Sequence, residues 1–96
     1  MRPSLMTAVQ PRRTSPVFDE ATLPAGLRAE HRTRPGVWGL IRVIAGEIRL
    51  TFVERGETLT VTSNAPALVH PQEIHSVEPV GPILMRIEFY DQPPQP

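Results

Sequence analysis

The chain has 96 residues, with no cysteine, no lysine and little aromatic side chain. Without cysteine there is no disulfide, no thiolate metal site and no cysteine nucleophile. No apolar run is long enough to span a bilayer or to serve as the hydrophobic stretch of a signal peptide, so the chain reads as soluble and cytoplasmic, with no membrane partner. All the basic residues are arginine, and the ten of them are balanced by ten acids for a formal net charge of zero. No basic run is interleaved with aromatics, which argues against a nucleic-acid partner. A chain this short builds one domain with a modest core and has no room for a separate catalytic or cofactor-binding domain.

Twelve prolines punctuate the sequence. Proline is excluded from central strands and from helix interiors, and here it clusters at the ends and between apolar segments, so long helices are ruled out. Residues 1–15 read as a flexible tail: the opening MRPSLMTAVQPRR is basic but lacks the apolar stretch and cleavage site of a targeting peptide. The Pro-rich ending, 92–96, reads as a second tail. A single folded domain is expected over residues 16–91.

Within that span the hydrophobic period is close to two. GLRAEHR (26–32) alternates as a first strand, with Leu27, Ala29 and His31 on one side. VWGLIRVI (37–44) is apolar on both faces. Ala45 and Gly46 then suggest a hairpin turn into EIRLTFVE, where Ile48, Leu50 and Phe52 face one way. Arg55 and Gly56 mark a second turn into ETLTVT, and SNAP (63–66) breaks the chain again. ALVH, IHSVEP and ILMRIEFY follow as three more strands, the last two separated by Val80, Gly81 and Pro82. Seven or eight short strands in one small domain predict an all-β sandwich or barrel.

The stretch TSPVFDEATLPAGLRAEHRTRPGVWGLIRVIAGEIRL resembles the opening of the small cupin-like domain of TehB/YeaR-type, tellurite-resistance-associated proteins. The matching positions are Thr14 to Pro16, Pro24, Gly26, Leu27, His31, Thr33, Arg34, Gly36, Trp38, Gly39, Gly46, Pro71, His75 and the ending Glu88, Phe89, Tyr90. The resemblance implies a double-stranded β-helix, that is, a jelly-roll barrel, in a family whose members occur alone or fused ahead of a methyltransferase. No G-x-G-x-x-G or comparable adenosylmethionine-binding segment is present, so methyl transfer does not carry over. In the wider cupin metal motif His31 fits the first histidine and His75 the last. Thr33 stands at the second histidine position and Gly39 where a glutamate is expected.

His31 and His75 are therefore the candidate site, each on the apolar side of an alternating segment and both expected to point into the enclosed cavity. They are candidate metal ligands for a divalent ion, zinc, iron or nickel, although zinc and iron normally need three protein ligands, which Glu73, His70 or Glu88 would have to complete. Parity turns Glu88 away from the cavity, toward an arginine such as Arg86 or Arg49. The same two histidines suit a small-molecule ligand, with Arg34 in its T-R-P-G turn as an anion contact and Trp38 as a pocket wall. The plainer alternatives are core imidazoles, a solvated rim charge and a packing tryptophan. Three functions stay open: a stress-associated cupin binding a small ligand or metal, a minimal metal-dependent enzyme of dioxygenase or isomerase type, and an interaction module. The two-faced apolar strand also predicts a homodimer.

Overall fold

The computed structural model describes residues 9–94. Two long strands carry it. β3 (Trp38–Phe52) and β6 (His75–Tyr90) run antiparallel along their whole length, from the Trp38/Tyr90 pair to the Phe52/His75 pair. β4 (Glu57–Val61) returns beside the second half of β3, and β5 (Ala67–Val69) pairs with the first half. Two short strands from the N-terminal segment, β1 (Arg13–Thr14) and β2 (Phe18–Asp19), add to the free side of β6. The result is a six-stranded, all-antiparallel sheet that does not close on itself among the described residues.

The expected turn at Ala45 and Gly46 is not a turn. The chain runs straight through it as one strand, and the register with β6 shifts between Val43 and Ala45 and again between Ala45 and Glu47. A β-bulge explains the sequence pattern equally well, because it adds one residue to one strand and bends it. Ile41 and Val43 face the core before the irregularity and Ile48, Leu50 and Phe52 after it, an odd step that only an inserted residue reconciles. Gly46 sits there with φ of +77°. The expected break at Val80–Pro82 is likewise absorbed within β6, where Gly81 takes φ of +75° beside the bend in β3. Both long strands thus fold over at one level, and their inner faces share one core of Ile41, Val43, Ile48, Leu50, Phe52, Val77, Met85 and Ile87.

The segment expected as the first strand is also different. Pro24 precedes a single helical turn, α1 (Ala25–Arg28), which buries Leu27 against the core. Over residues 26–28, where the expected strand overlaps α1, alternation cannot distinguish one helical turn from a strand, since Leu27 is inward in either. Asp19 holds the preceding loop by accepting hydrogen bonds from the backbone N–H groups of Ala21 and Thr22. Glu20 fastens the loop to the sheet by accepting the Ile83 N–H at 3.0 Å.

The sheet begins before residue 16. Arg12 N–H donates to Phe89 O and Ser15 N–H to Ile87 O, both at 2.8 Å. The rest of the expected tails falls largely outside the described residues, and Pro94 is buried. No helix among the described residues is long and apolar enough to cross a membrane.

Candidate functional site

His31 and His75 come together, by a route other than two neighbouring strands. Each donates its backbone N–H to the other's carbonyl at 2.8 Å, an isolated antiparallel bridge that pins the loop after α1 to the start of β6. Their rings meet edge to face with centroids 5.5 Å apart. Both histidines line one small cavity of about 20 Å³ against Leu27, Ile41 and Ile87, but they differ in exposure: His75 is buried at 3%, whereas His31 is exposed. His31 follows a helical turn and an irregular loop, so strand parity does not govern its direction.

His75 Nδ1 lies 2.8 Å from the Glu73 carbonyl. A carbonyl only accepts, so Nδ1 carries the proton and Nε2 keeps its lone pair. Burial pushes the His75 pKa below its ordinary value, and the adjacent His31 acts in the same sense against the Glu73 hydrogen bond. Below pH 6.5 the unfolded imidazole binds a proton that the folded one resists, so the folded state is penalised. The urea midpoint is expected to be level above that pH and to fall as pH drops from 6.5 toward the lowered value, and His75→Gln should flatten this window. An unchanged slope in the variant would assign the dependence to other groups.

Of the other expected site residues, Arg34 is close and Trp38 is not. Arg34 lines an open groove together with His31, Arg12, Arg13, Arg32 and Phe89. Trp38 belongs to the opposite face of β3, where its ring lies 4.7 Å from that of His70. It is no wall of the histidine site, because it shares parity with Leu40 and Arg42 rather than with Gly39 and Ile41.

The acids proposed to complete a metal shell are engaged elsewhere. The Glu73 carboxylate accepts from Arg55 Nε at 2.7 Å. Glu88 does face away from the core, as parity requires, yet it is buried, accepting from Arg42, Arg86 and the Tyr90 hydroxyl. Burial raises the Glu88 pKa, but these three donors outweigh it and hold the carboxyl below the ordinary range. Among the described residues no three His, Cys, Asp or Glu side chains converge. Thr33 and Gly39 cannot supply the missing ligands, so the donor set does not fit zinc, iron or nickel.

Several residues to which the sequence assigned no role in the site stand beside the pair. A second, apolar groove of about 450 Å³ runs from His31 over Phe18, Pro24, Leu27, Ile87 and Phe89, with Arg13 at its edge. Arg13 lies over the Phe89 ring at 4.7 Å. The pairing of β1 with β6 creates this wall, and no local pattern in the sequence announces it. The one available signal was Arg32 and Arg34 flanking Thr33 immediately after His31.

With the bent two-strand core and the histidine bridge on one domain, a family model for the TehB-like domain matches residues 13–87. The chain belongs to the TehB-like domain family. No curated protein matches it. TehB from Haemophilus influenzae is a similar solved structure, with a TM-score of 0.77 at 24% identity over 90% of this chain and 32% of that one. A protein from E. coli strain K12 superposes with a TM-score of 0.78 at 20% identity, over 96% of this chain and 99% of that one. At these identities the likeness is one of fold. The chain spans about a third of the length of the H. influenzae protein.

Proposed function

We propose that this TehB-like domain is an open jelly roll of the cupin kind that binds a small organic ligand where His31 and His75 converge, and that it serves as a binding protein in a tellurite- or oxidative-stress setting. One observation carries the reading. Histidines 44 positions apart are locked by reciprocal backbone hydrogen bonds so that an exposed ring lies edge to face with a buried one, at the side of two open grooves. A buried imidazole that only filled the core would need no second ring at the surface beside it. The cupin assignment draws support from the paired bends of β3 and β6, and the stress setting draws support from family membership. Binding is favoured over catalysis because neither Glu73 nor Glu88 is directed to the pair and no metal shell is available there.

The test is a screen of small neutral, cationic and anionic fragments against the full chain, read through the nitrogen-15 resonances of the three imidazoles. Binding fragments are expected to move the His31 and His75 signals together and to leave His70 in place. Hits that shift only His70, or shift none of the three, would contradict the reading.

A further inference from the structure

Resting on the reading of the His31/His75 mouth as a ligand site, we infer that its ligand class is an organic acid with a flat apolar body. Two grooves meet at this mouth and share three residues, Arg13, His31 and Phe89. They differ sharply in chemistry. One is walled by Phe18, Leu27, Ile87 and Phe89 together with prolines 16 and 24, and the other by Arg12, Arg13, Arg32 and Arg34. Their volumes, about 450 and 480 Å³, are those of small-molecule sites.

Among the described residues only one of these four arginines is compensated. All ten acidic residues lie within the described part of the chain, and none of them lines either groove. Arg12 is paired with Asp91 at 2.8 Å, but among the described residues Arg13, Arg32 and Arg34 have no carboxylate within ion-pair distance. In a chain of zero net charge, three unneutralised guanidinium groups around one mouth make a local anion field. Guanidinium groups offer forked donors that match a carboxylate. Arg13 also rests on the Phe89 face, so a charged group is fixed where the basic groove joins the apolar one.

A ligand that fits both has its carboxylate among Arg13, Arg32 and Arg34, its edge against the exposed His31 ring, and its body over Phe89 and Leu27. A purely inorganic anion would leave the apolar groove unfilled. A neutral hydrophobe would leave the arginines without a partner.

The experiment is calorimetric titration of the full chain with 1-naphthoate and with 1-naphthamide, which has the same body without the charge. Naphthoate is expected to bind at least about tenfold more tightly than the amide, the range expected of a charge-assisted hydrogen bond. Arg34→Gln and Arg13→Gln should each weaken naphthoate by roughly fivefold to tenfold, and Arg34→Gln, which lies outside the apolar groove, should leave amide binding unchanged, while Arg49→Gln, exposed beside Glu78 and lining neither groove, should alter neither. Equal binding of the two probes, no naphthoate binding at millimolar concentration, or insensitivity to both arginine variants would overturn the inference. Should naphthoate fail while neutral fragments still move His31 and His75 together, the site reading stands and only the ligand class falls. Should naphthoate bind with those two resonances unmoved, the site reading fails as well. If the N-terminal residues or a second copy of the chain occupy the grooves, naphthoate will not bind, and that too counts against the inference.

Discussion

Gly46→Ala is expected to lower stability by about 3 kcal/mol or more, one of the largest single-residue effects in the domain. Two costs add at this position. Gly46 has φ of +77°, which by itself disfavours any L side chain by about 1–2 kcal/mol. A Cβ there would also stand 2.3 Å from the Pro82 carbonyl oxygen and 3.1 Å from Ile83 Cγ2, so the backbone of β6 would have to move. Gly81→Ala separates the two terms. Gly81 has nearly the same φ, +75°, but nothing lies within 4 Å of a built Cβ, so only the conformational cost of about 1–2 kcal/mol applies. For a domain of this size each kcal/mol lowers Tm by about 4–8 °C, so thermal melts of the two variants should be well separated. Equal melting temperatures would mean that the strands do not approach each other at the bend.

The second large effect is a split between the two histidines. His75→Ala removes a buried ring and leaves the Glu73 carbonyl without its donor, which should cost about 1–3 kcal/mol in addition to ligand binding. His31→Ala removes an exposed ring, while the backbone bridge to His75 persists because it uses main-chain atoms only. Its stability should stay within about 0.5 kcal/mol of the parent, as for an ordinary surface position. Both variants are expected to bind 1-naphthoate roughly tenfold more weakly or worse. Urea unfolding together with calorimetry reads both quantities. Retained binding in both variants would reduce the pair to a structural bridge, and a large stability loss in His31→Ala would show that its ring is packed rather than presented.

The all-β character and the Arg55–Gly56 hairpin were legible in the sequence, from period-two alternation and from a turn residue, whereas the two histidines were singled out by a strand parity that does not govern His31. The bends were misread for a physical reason. A bulge and a tight turn both ask for a glycine at positive φ, and Gly46 satisfies either. The odd step from Val43 to Ile48 distinguishes the two only if the strands on both sides are known to share one core. Local alternation also misassigned residues 26–32, where one turn of helix buries the same leucine that a strand would. Parity placed Glu88 on the correct face but carried no information about its burial, which depends on Arg42, Arg86 and Tyr90 gathering around it. The groove walls were the least visible. Arg13 reaches Phe89 only because β1 pairs with the far end of β6, a contact between the two ends of the chain.

Other arginine clusters show why location matters as much as charge. Arg42 and Arg86 sit directly opposite each other across β3 and β6, and the buried Glu88 carboxylate lies between them. Arg55 is shared by Glu57 and Glu73. Both clusters are internally neutralised to a degree that the mouth beside His31 is not.

A crystal structure of the full chain with 1-naphthoate decides whether the histidine mouth is a site for an organic acid. The carboxylate is expected within hydrogen-bond reach of at least two of Arg13, Arg32 and Arg34, with the ring system between His31 and Phe89 and His75 closed behind it. A naphthoate held instead in the recess between Arg42 and Arg86, or against Arg55 and His70, with the His31 and His75 rings untouched, would contradict it.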